Sequence, residues 1–117
     1  MRKLLIAAVA TIMAAPAHAQ SFDTNIVTFQ SGNEIYQVCQ SMKDVERMLC
    51  LGYIEGVTDA YETYRATQGM QPCMRPGVTG GQLIDVTVQF YRNTPEKRDF
   101  AASSLIQGIR EAFCPGK

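Results

Sequence analysis

The chain has 117 residues, with eleven Lys and Arg balanced by eleven Asp and Glu, and a single histidine. Met1-Arg2-Lys3 followed by the apolar run Leu4–Ala15 and the small-x-small triplet Ala17-His18-Ala19 reads as a secretory signal cut after residue 19. Removing 19 residues from 117 leaves 98, with nine basic residues against eleven acidic ones, a net charge of −2, and no histidine. A chain of that length has room for one core. It offers no basic stripe for nucleic acid and no second apolar stretch long enough to cross a membrane. Without histidine, Ser-His and Cys-His catalytic pairs and His-ligated metals are excluded from the mature part.

Residues 20–30 show no clear period and read as a flexible, extended lead-in to a single helical domain over 31–114. Ser31-Gly-Asn-Glu34 is a capping box, and Ile35, Val38 and Cys39 follow at helical spacing, so a first helix is expected over 32–41. After a turn at 41–44, with Asp44 as cap, a long second helix is expected over 45–68. Its inner stripe is Cys50, Tyr53, Ile54, Val57, Tyr61 and Tyr64. Gly52 and Gly56 lie on a neighbouring face of that helix. Each costs about 1 kcal/mol of helix propensity, which favours close approach of another helix there, the alternative being plain tolerance of two glycines in a long helix.

Residues 69–77 carry two glycines, two prolines and Cys73, and read as a loop. Thr79-Gly-Gly-Gln82 is a second capping box opening a third helix with Leu83, Val86, Phe90 and Tyr91 inward; Val86–Phe90 alternates well enough to be a strand instead. Thr94-Pro95-Glu96 predicts a short turn, and a fourth helix is expected over 99–113 with Leu105, Ile106, Ile109, Ala112 and Phe113 inward. The fold class is thus all-α, a small four-helix, up-and-down-like bundle.

The cysteines at 39, 50, 73 and 114 all follow the signal segment, and none forms the C-x-x-C knuckle of a zinc site. Four cysteines in a small exported chain imply two disulfides and allow three connectivities. An antiparallel first hairpin sets Cys39 beside Cys50, and a returning fourth helix brings Cys114 to Cys73. The expected staples are therefore Cys39–Cys50 and Cys73–Cys114.

Cys50-Leu-Gly52-Tyr53-Ile-Glu-Gly56-Val-Thr-Asp59 resembles the C-x-G-Y-I-x-G-x-x-D segment of the type VI amidase immunity proteins, the Tai/Rap group. Cys73-Met-Arg-Pro76-Gly-Val78-Thr79-Gly-Gly-Gln82-Leu83 is similar to that family's C-x-P-x-x-V-T-x-x-Q-L segment. The closing region from Pro95 and Arg98 through Leu105 to Cys114 is similar as well. The chain departs from the pattern in placing Pro115 after the last cysteine instead of before it, and in lacking a proline ahead of Ala101. The resemblance implies a periplasmic, all-helical protein, often a homodimer, that occludes the active site of a peptidoglycan amidase delivered by a type VI secretion system.

The residues themselves favour binding over catalysis. Glu55, Asp59 and Glu62 recur along the second helix as a solvated acidic row, so no catalytic residue, metal or other cofactor is assigned. The best docking surface is the disulfide-tethered loop, with Met70, Gln71, Met74 and Arg75 as contact residues; Met70 and Met74 could instead cover the bundle end. Arg98 is a further contact candidate, or else an internal partner for a carboxylate such as Asp59. The alternatives to immunity are an orphan helical binding module without a toxin partner, or a periplasmic acid-stress chaperone of the Hde type. For the chaperone, protonating eleven carboxylates would turn the charge from −2 to about +9.

Overall fold

The computed structural model describes residues 29–114. The signal segment and most of the lead-in lie outside the described residues. Four helices follow in order: α1 over Gly32–Gln40, α2 over Asp44–Thr67, α3 over Gly80–Asn93 and α4 over Ile106–Phe113. Two 3-10 turns, Pro95–Asp99 and Ala102–Leu105, connect α3 to α4. The class is all-α, and both disulfides pair as expected, Cys39 with Cys50 and Cys73 with Cys114. No described helix is long and apolar enough to cross a membrane.

Both capping boxes form. The Ser31 hydroxyl accepts the Glu34 amide at 3.2 Å, while the Glu34 carboxylate accepts the Ser31 amide at 2.7 Å. Those contacts hold the Glu34 carboxyl below its ordinary range, the backbone N–H first and the hydroxyl second. Thr79 and Gln82 repeat the arrangement at the start of α3, and the 86–90 segment is helical. Asp44 is not a cap. It is the first residue of α2, with Lys43 at the cap position and Ser41 Oγ accepting the Lys43 amide at 3.1 Å. The acidic residues Asp44 and Glu46 then occupy the positive end of α2, where negative charge is favoured.

Ile35, Cys50, Ile54, Tyr91, Leu105 and Ile109 are fully buried and form one core between all four helices. At its centre the Tyr91 hydroxyl donates to the Ala102 carbonyl at 2.9 Å and lies 3.2 Å from Ser104 Oγ. Burial pushes the Tyr91 phenol above its ordinary pKa. On α2 the inner stripe narrows toward the C-terminus: Tyr53, Val57 and Tyr61 are half-buried and Tyr64 is exposed. On α3 the sequence pattern misses Thr87, which is fully buried while Val86 is only partly so.

The fourth helix is not continuous over 99–113. Phe100 and Ala101 are extended because this stretch of backbone pairs with residues 30–32. The Gly32 amide donates to the Phe100 carbonyl at 2.8 Å, and the Ala102 amide to the Gln30 carbonyl at 2.9 Å. A helix through this point would turn those groups inward along its own axis. The shorter α4 also leaves Ala112 exposed, contrary to the predicted stripe.

The close helix approach expected at Gly52 and Gly56 does not occur, and a Cβ at either position would meet nothing within 4 Å. It occurs at Gly108, where a Cβ would stand 2.7 Å from the Cβ of Phe90, so α4 can lie against α3 only without a side chain there.

Candidate functional site

The loop between α2 and α3 begins with a Schellman stop. Gly69 adopts φ 67°, its amide donates to the Ala66 carbonyl at 3.0 Å, and the Met70 amide donates to the Arg65 carbonyl at 2.9 Å. That geometry reverses the chain and carries it back along the last two turns of α2. There Arg65 donates to the Gln71 carbonyl through Nε at 2.9 Å and through Nη2. Its Nη1 reaches the Tyr61 hydroxyl at 3.3 Å, and its guanidinium lies 5.6 Å from the centre of the Tyr61 ring. Two residues further along, the Cys73 amide donates to both carboxylate oxygens of Glu62, at 2.9 and 3.1 Å. Cys73 itself is fully buried and linked to Cys114, so the loop is held both covalently and by charged side chains on backbone groups.

Met70 is half exposed, and Gln71 and Arg75 are exposed beside it. Met74 is only partly exposed and packs against the core. Four of the five predicted contact residues therefore share one loop, and three of them present side chains to solvent. Arg98 belongs to a different cluster. It lies on the first 3-10 turn, half-buried, with its guanidinium 4.0 Å from the Tyr36 ring centre and its Nε donating to the Tyr91 carbonyl at 2.8 Å. The carboxylate partner suggested by the sequence is replaced by an aromatic face and a backbone oxygen.

The acidic row on α2 divides in the same way. Glu55 and Asp59 are exposed, whereas Glu62 is half-buried against the loop. Sequence reasoning missed Glu62 and Arg65 as loop supports and Tyr64 as a surface aromatic stacked on Tyr61 at 6.5 Å. No local signal marks the two charged supports: Glu62 continues the spacing of Glu55 and Asp59 along α2, and only the folded-back loop distinguishes it. Among the described residues, no three His, Cys, Asp or Glu side chains gather as metal ligands would.

Fold and surface together define a small disulfide-clamped helical module that presents a braced loop. The family model for Rap1a immunity proteins matches residues 31–114, most of the chain, and the chain belongs to that family. The assignment is consistent with a type VI secretion immunity family, whose members bind a protein effector and are typically non-enzymatic. Comparison with curated proteins and with solved structures gave no match.

Proposed function

We propose that this protein is exported to the periplasm by residues 1–19 and there neutralises a type VI peptidoglycan amidase by lodging the Met70–Arg75 loop in its active site, without catalysing a reaction of its own. Family membership over residues 31–114 carries this reading. It is supported by a loop whose backbone is fixed before any partner arrives, which lowers the entropy lost on docking. Methionine and arginine at its surface suit a contact that must desolvate.

The same reading includes a homodimer. Met42, just ahead of α2, is 88% exposed, and Val45, Met48 and Leu49 in its first turns are 80%, 72% and 49% exposed. On the face that carries Val45 and Leu49, the bare backbones of Gly52 and Gly56 follow, open to solvent. An antiparallel two-fold crossing of α2 on its copy would seat the apolar side chains of each protomer over the glycines of the other, the self-complementary contact that a two-fold interface requires. Sedimentation of the Leu49→Asp variant should give a monomer where the wild type gives a dimer.

The function is tested in a host that exports a type VI peptidoglycan amidase to its own periplasm, beginning with any amidase found to be encoded beside this gene. Co-expression of the full chain should restore growth, and co-expression of residues 20–117 without the signal should not. Lysis in the presence of exported, folded protein would overturn the reading. Loss of the dimer near pH 3 with capture of unfolded clients would favour an acid chaperone instead.

A further inference from the structure

We infer that Glu62 and Arg65 are positioning residues that latch the α2–α3 loop, so the loop's shape is set by the last turns of α2 and not by the Cys73–Cys114 link alone. The two side chains lie three residues apart on α2 and carry opposite charge, yet each faces a loop backbone group of complementary polarity. The Glu62 carboxylate receives the Cys73 amide on both oxygens, and the Arg65 guanidinium covers the Gln71 carbonyl. Arg65 is itself oriented by the Tyr61 hydroxyl and ring. Charge-assisted bonds of this kind are roughly twice as strong as neutral ones.

The disulfide fixes one atom of one residue, and rotation about the bonds near Cys73 would still let the segment before it swing. The latch removes that freedom at Gln71 and Cys73, while the Schellman turn fixes Met70. The consequence for docking rests on the proposed immunity reading: Met70 and Arg75 are presented in one arrangement because two side chains that need not touch the partner hold the backbone beneath them. Glu55 and Asp59, on the same helix but facing solvent, have no such role.

Hydrogen exchange of the free, disulfide-intact protein tests the latch without any partner. In Glu62→Ala the Cys73 amide should exchange about tenfold faster or more, with α3 amides unchanged. Glu62→Gln, which keeps one neutral acceptor, should fall between that variant and wild type, and Arg65→Gln should loosen residues 70–73. Glu55→Gln and Asp59→Asn should leave the loop at the wild-type rate. Unchanged exchange at Cys73 in Glu62→Ala would overturn the latch, as would a uniform acceleration across all four helices. With the amidase added, the latch variants should inhibit with a slower association rate. Local loosening with no change in that rate would refute the positioning role. Failure of the wild type to bind any amidase would refute the immunity reading and leave the exchange result standing.

Discussion

The two ends of this molecule solve the same covalent problem in different surroundings. At one end, Cys39 and Cys50 join helices that already pack through Ile35 and Ile54, and both sulfurs sit inside the core. At the other, Cys73 and Cys114 join a loop without regular structure to the end of a short helix, and the backbone around Cys73 depends on Glu62 and Arg65. A staple between packed helices adds to order that burial supplies. A staple on a loop needs side-chain help before the loop has a definite shape. The second arrangement leaves Met70, Gln71 and Arg75 exposed, the residues proposed to meet a partner.

This contrast can be broken by removing each link in turn. Replacing both Cys73 and Cys114 by serine should cost about 4 kcal/mol, from closing the longer loop of the unfolded chain. Replacing Cys39 and Cys50 should cost about 3 kcal/mol. Urea unfolding measures both. The first pair should also accelerate amide exchange over residues 69–78, while the second should leave that loop protected.

Arg98→Ala removes both the stacking on Tyr36 and the bond to the Tyr91 carbonyl. It should cost about 2 kcal/mol of stability, with amidase inhibition by the remaining folded protein unchanged. Loss of inhibition without loss of stability would move Arg98 from the core support to the contact surface.

The smallest effects concern single groups. Thr87 is fully buried and its hydroxyl has no hydrogen-bond partner among the described residues. Thr87→Val should therefore stabilise the protein by about 1 kcal/mol, or roughly 5 °C in Tm. Glu34 titrates below its ordinary range in the folded state because Ser31 donates to it. Its contribution is thus present above the unfolded pKa and is lost as pH falls through the lower folded value. Fraying at the start of α1, followed by the Ser31 and Glu34 amide resonances, should begin below about pH 4.

Helices α1 and α3 were legible because their capping boxes are local: four residues contain both partners of each bond. The disulfide pairing was legible for a similar reason, since helix lengths and a short turn set which cysteines can meet. The break at Phe100–Ala101 was not, because its cause is pairing with residues 30–32, some seventy positions earlier in the chain. The glycine pair on α2 misled because propensity records the cost of a missing side chain and not whether a neighbour occupies the space. In the candidate site, the loop and its exposed Met70 and Arg75 could be read from composition and the cysteine. Its supports could not, because Glu62 sits in register with Glu55 and Asp59, and only the reversal after Gly69 brings the backbone over it.

The most direct measurement is an inhibition titration of a type VI peptidoglycan amidase on purified peptidoglycan, comparing the oxidised protein with its Met70→Ala/Arg75→Glu double variant. Stoichiometric suppression by the wild type, with at least a hundredfold weaker inhibition by an equally stable variant (about 3 kcal/mol lost at the contact), is the predicted result. Equal inhibition by both proteins would contradict the account and place the contact on another face of the bundle.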